Sequence, residues 1–218
     1  MLNSQKNLSV IKYKIRPRGQ GLVETVILFP ILLVVFSGMV EFGFMLQAYL
    51  ALQDAARNAA RFASDGLFYL RDRNTDCKTT QDFYRQAACL VNQELSQEQP
   101  EIEINTGDGN DDIIISAFGI EQGKGIVARY PDEFGERGWS AAWDGNGKPN
   151  QVSRLTSTNL GTKINSSAPS TGLVAVEIFH AYQQKLNLPW ITAFLDDPLI
   201  LHNYAVMPLV SAEPDPVP

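Results

Sequence analysis

Apolar residues in this chain of 218 residues are concentrated near its start. Val26 to Val40 carries no charge, and Leu22, Val23 and Phe42 to Leu46 extend the run to the roughly 20 residues that a bilayer span needs. From Gln47 to Ala63 the pattern changes. Ala48, Ala51 or Leu52, Ala55, Ala59 and Phe62 recur at intervals of three and four, the period of an amphipathic helix, and the alanines are small enough to let another element approach closely. A single helix from Leu22 to Ala63 would be about 63 Å long at a rise of ~1.5 Å per residue. Pro30 removes one backbone hydrogen bond inside it and is expected to bend it. Ser64, Asp65 and Gly66 are expected to end it.

Further along, Phe83, Ala87, Leu90 and Val91 form an apolar stripe that predicts a second helix from about Asp82 to Ser96, with Thr79 and Asp82 resembling a capping box. EIEIN (101–105) and DDIIISAF (111–118), separated by a polar turn, read as a β-hairpin or two neighbouring strands. Glu121 to Ser170 is rich in Gly, Asn, Ser and Pro and reads as a long, weakly structured region. Gly172–Tyr182 and Leu201–Val210 read as strands, and Pro189–Leu195 between them as a short helix or an apolar loop. The tail, Ala212–Pro218, is expected to be disordered.

The class this predicts is α+β: a long N-terminal transmembrane helix continuing into an extracytoplasmic domain with a small antiparallel sheet. The expected divisions are a basic leader (1–19), a membrane and assembly helix (20–64), the α+β domain (65–211) and the tail (212–218). Charge adds a direction. The whole chain has a formal net charge of −6, yet its first 19 residues hold Lys6, Lys12, Lys14, Arg16 and Arg18 and no acid. The remainder has 13 basic against 24 acidic residues, or −11. A basic leader before an apolar span places the amino terminus in the cytoplasm and everything after Ala48 outside. The acidic remainder argues against nucleic acid as a partner, because phosphate binding needs a basic surface.

Candidate chemistry is sparse. Cys77 and Cys89 would lie on the oxidising side under this topology, where a disulfide is the economical reading and would add about 2–4 kcal/mol; a pair of buried thiols is the alternative. With only His180 and His202 available, a metal site is not expected, and both histidines sit in strand-like contexts where structural roles suffice. Asp108, Asn110 and Asp112 alternate like calcium-loop ligands, but Ile113 stands where that loop needs glycine and Gly119 where it needs glutamate. Trp139 and Trp143 either pin a loop to the core or form a contact surface or sugar platform. No Ser, His and Asp order, zinc ligand set or phosphate loop is present, so neither a catalytic site nor a cofactor is expected, and the chain reads as a non-enzyme.

One carboxylate stands apart. Glu24 lies at the edge of the apolar run, where a charge usually has a partner or a reason. It is the fifth residue after Gly19, which closes the basic leader with Arg18. A cut after Gly19 would leave an ammonium on Gln20 one helical turn away, and the two charges would attract within one subunit or between neighbours. Gly21 is a second glycine, but a cut there would leave Glu24 only three residues on. Glu41 brackets the far end of the run, roughly 25 Å from Glu24 at helical rise, so that both carboxylates can sit near the interfaces.

This pattern of basic leader, glycine, glutamate and apolar helix resembles prepilins. More narrowly, RGQGLVETVILFPILLVVFSGMVEFG followed by AARNAAR resembles the TadE-like proteins, minor pilins or pseudopilins of the Tad (Flp) tight-adherence pilus system. The residues carrying the likeness are Arg18, Gly19, Glu24, Pro30, the Glu41, Phe42, Gly43 triplet, and Ala55, Ala56, Arg57, Ala59, Ala60 and Arg61. Thr25 departs from the family, which usually has an aromatic residue after the glutamate. The resemblance implies a pilin-like domain, processing between Gly19 and Gln20 by a prepilin peptidase, and assembly through Glu24, Thr25, Pro30 and the apolar helix. It also implies other pilins and Tad assembly proteins as partners in a bacterial inner membrane. The runner-up reading is an uncleaved, signal-anchored extracytoplasmic binding protein; a secreted hydrolase is a third.

Overall fold

The structure is a computed structural model that describes residues 20–65, 83–143, 148–165, 167, 169–193 and 198–209. The leader with Gly19, the Thr79–Asp82 box, Cys77, Gly66 and the tail lie outside the described residues. The chain divides into two compact units, Met1–Val40 and Glu41–Pro218.

Helix α1, Gln20–Ser64, contributes to both units and runs through Pro30. In the first unit every residue from 21 to 36, a run rich in Leu, Val, Ile and Phe, is exposed. In the second unit the same helix buries Ala48, Ala51, Leu52, Ala55, Ala56, Ala59, Ala60 and Ala63 in the main core. The three-and-four spacing of small residues is thus a packing face. Asp54 and Arg57 remain on the solvated side, 3.7 Å apart.

Helix α2, Phe83–Glu98, adds Ala87, Leu90, Val91 and Leu95 to that core. Pro100 stops it by disfavouring helical backbone at the preceding residue. Gln47 Nε2 donates to Gln99 Oε1 at 3.1 Å and Asn58 Nδ2 to Glu94 Oε2 at 3.3 Å, so α1 and α2 run antiparallel.

The sheet is antiparallel: β1 (Asp112–Glu121), β2 (Gly125–Tyr130), β3 (Trp139–Ser140), β4 (Thr171–Tyr182) and β5 (Leu199–Leu209). Its order is β2-β1-β4-β5, with β3 pairing β1. The two long apolar runs near the carboxyl end are strands, as their sequence predicts, and Pro189–Thr192 forms a short helix, here α4. Ile113, Ile115, Val174, Val176, Ile178 and Tyr182 face the helices. Phe118 and Ala175 face the other way, under Leu155 and Leu160, the latter on the short helix α3 (Ser157–Gly161).

Two expectations are corrected. EIEIN is not a strand: β1 already has β4 on one side and β3 and β2 on the other, so both its edges are occupied. Ile102 and Ile104 still turn inward, and Asn105 caps a 3₁₀ turn at Thr106–Asp108 by accepting from Gly107 N at 3.0 Å. The hairpin partner of β1 is β2, inside the stretch read as weakly structured. Gly123 (φ 84°) and Gly125 (φ 81°) make the tight return, closed by Lys124 N donating to Glu121 O at 3.0 Å. That stretch also supplies β3, a 3₁₀ segment at Asp132–Arg137 and α3.

Candidate functional site

The residues singled out in the first unit lie on one exposed helix. Glu24 is exposed and, among the described residues, makes no hydrogen bond or ion pair within the chain. Thr25 donates its hydroxyl to Gly21 O at 2.9 Å, a back-bond that needs no neighbour. Pro30 lies between Phe29 and Ile31, both more than half exposed. What they share is an exposed, largely apolar helix on which Glu24 is the one carboxylate among the described residues of the first unit.

At the start of the second unit the same helix behaves differently. Glu41, expected to be an interfacial charge, is only 4% exposed. Its Oε1 accepts from the Tyr182 hydroxyl at 2.7 Å and from Lys185 N at 2.9 Å, and its Oε2 accepts from Leu186 N at 2.8 Å. Burial, with the Glu41 carboxylate against it, pushes the Tyr182 hydroxyl well above the ordinary phenol range. Glu41 therefore ties α1 to the end of β4 and the segment that follows. Its partners lie 141 to 145 residues away, so no local pattern could have announced them.

Other buried carboxylates hold the domain's loops. Asp112, read as a possible calcium ligand, instead accepts from Ser140 Oγ at 2.8 Å, from Asn150 N and Gln151 N at 3.1 Å, and from Ala142 N at 3.3 Å. Burial raises its carboxyl above the ordinary value, outweighing those donors. For Asp111 the balance is opposite: burial raises it, but hydrogen bonds from His180, Ala181 N and Asn105 N hold it below that value. Arg129 donates to Glu136 Oε2 at 2.7 Å and to Ser116 Oγ and Ser153 Oγ at 2.9 Å; Ser153 in turn bonds Glu177.

Both histidines have structural partners. His180 Nδ1 is 3.2 Å from Asp111 Oδ2, and His202 Nε2 is 2.9 Å from Glu177 Oε2, with the His202 ring stacked on Phe179. Trp139 is 6% exposed and stacks on Tyr84, which makes it a core residue. Trp143 is 37% exposed and packs edge-on against Phe134. Cys89 lies on α2, and no described cysteine is free.

One helix, Gly21–Ser64, is long and apolar enough to cross a membrane, and it leads into a small α+β domain. The TadE-like protein family model matches residues 19–61, the stretch that contains Glu24, Pro30, Glu41 and the alanine-rich turns. Over that stretch the chain is similar to TadE-like proteins. No curated protein and no solved structure matches the chain.

Proposed function

We propose that this protein is a minor pilin or pseudopilin of a Tad-type pilus, inserted in a bacterial inner membrane, cut between Gly19 and Gln20 by a prepilin peptidase, and assembled with other pilins through its apolar helix. The carrying observation is Glu24. It lies in the TadE-like stretch, on a helix whose apolar surface is uncovered, and it has no partner within the described chain. A lone carboxylate in such a surface is stabilised by a positive charge supplied during assembly. An amino-terminal ammonium on Gln20, in the same subunit or a neighbour, supplies it. Thr25 and Pro30 lie on the same exposed helix and are assigned to its assembly contacts as well.

In this reading the basic leader stays in the cytoplasm and the acidic domain faces outward. A Cys77–Cys89 disulfide on that side would tie α2 to the segment preceding it. The role is assembly rather than catalysis, with Tad assembly proteins as further partners. The testing variant is Glu24→Ala, scored for processing and for piliation in a strain lacking the wild-type copy. Normal processing with piliation lost or reduced at least about tenfold is expected; normal piliation contradicts the reading.

A further inference from the structure

A cleft of about 250 Å³ opens on the domain between α1, the segment after α2 and the end of β4. Its lining is chemically mixed. Phe44, 41% exposed, and Ile102 supply apolar surface, while Glu103, Asn110 and Gln183 bring exposed polar side chains that make no hydrogen bond within the described chain. His180 spends Nδ1 on Asp111, which leaves Nε2 as its second polar atom. The one lysine in the lining, Lys185, is already neutralised by Glu101 at 3.2 Å.

Amides both donate and accept, a carboxylate accepts, and an imidazole can do either. A site with several such groups beside an aromatic ring suits a neutral ligand with many hydroxyls and apolar C–H faces better than an ion. Phosphate is disfavoured by the unpaired Glu103 and the engaged Lys185. The geometry points to a saccharide-binding site in this cleft, for one sugar ring or two. Its α1 residues, Phe44, Gln47 and Ala48, lie where the apolar run ends. The sugar is therefore either a soluble glycan or the headgroup of a glycolipid. This site is independent of cleavage and pilus assembly.

The test uses the full chain in phosphatidylcholine nanodiscs, prepared without glycoside detergents because these would compete. Titration calorimetry or saturation-transfer NMR is run with cellobiose, with N,N′-diacetylchitobiose, with nanodiscs containing a galactosyl diacylglycerol, and with ethanolamine as the amine control. Saturable binding of a disaccharide or of the glycolipid is expected, and which of them binds identifies the source. Glu103→Ala and Gln183→Ala, both at exposed positions, should each weaken binding by about fivefold or more, while Asn58→Ala on another part of α1 leaves it unchanged. The proposal is overturned if no sugar saturates, if both cleft variants bind like the wild type, or if ethanolamine alone binds.

Discussion

The Tyr182 hydroxyl donates to the Glu41 carboxylate at 2.7 Å, joining the last residue-pair position of β4 to the first residue of the folded part of α1. With Lys185 N and Leu186 N on the same carboxylate, this buried junction is fully hydrogen-bonded. Glu41 is thus a fastening of the domain itself, distinct from Glu24, which has no partner among the described residues.

Removing the fastening leaves buried donors without an acceptor. Glu41→Ala is expected to destabilise the domain by roughly 2–4 kcal/mol and Tyr182→Phe by about 1–2 kcal/mol. The double variant should lose less than the sum, because the two changes remove one shared bond. Denaturant unfolding in micelles, followed by tryptophan fluorescence, measures this. Additive losses would mean the bond is energetically silent.

Adjacent carboxylates should respond to acid with opposite sign. Asp111 is held below its ordinary value of 3.8. Its contribution is therefore fully present above that pH and is lost as pH falls through the lower folded-state value. Asp112 is held above 3.8, so its contribution is fully present below that pH and is lost as pH rises through the folded-state value. Asp111→Asn is expected to cost about 2 kcal/mol at neutral pH, with the deficit shrinking below pH 3.8. Unfolding free energies of wild type and variant from roughly pH 6 to roughly pH 2, a span that brackets the ordinary carboxylate range, test this; a constant deficit would contradict it.

Gly138 has φ 73°, and a Cβ there would meet Ser116 Oγ and lie 2.9 Å from Ile114 Cγ2 and 3.2 Å from Ile115 O. Gly138→Ala combines backbone strain with overpacking and is expected to destabilise by about 2–4 kcal/mol. The same substitution at Gly161, where a Cβ meets nothing within 4 Å, should be close to neutral. Thermal unfolding of the two variants side by side gives the comparison.

The alanine face of α1 yields a size test. Ala56, Ala59 and Ala60 are fully buried. Replacing Ala59 with Leu forces extra volume into a filled core and should cost about 1–3 kcal/mol, whereas Leu at exposed Arg61 should cost under about 0.5 kcal/mol. Equal effects at the two positions would show that the spacing does not set the packing face.

Elements whose partners are nearby or periodic were legible from the residues alone. The apolar run, the alanine spacing, the stripe of α2 and the long apolar strands β4 and β5 each declare themselves locally. EIEIN was misleading because alternation reports inward-facing side chains, and Ile102 and Ile104 do turn inward without any free strand edge to join. β2 was hidden because the glycines that make its turn also make its neighbourhood look irregular. Glu41, Asp112 and Glu177 could not be read as fastenings, since their donors are brought to them only by the assembled sheet. Glu24 is a different case: what singles it out in the sequence, its spacing from Gly19, lies within a few residues of it.

The central claim is that Glu24 works opposite a newly made amino terminus. The most direct measurement is the intact mass and amino-terminal sequence of the membrane-extracted protein, from cells with and without the prepilin peptidase. The account predicts a start at Gln20 only when the peptidase is present. A start at Met1 in both cells would contradict it and leave Glu24 on an uncleaved membrane anchor.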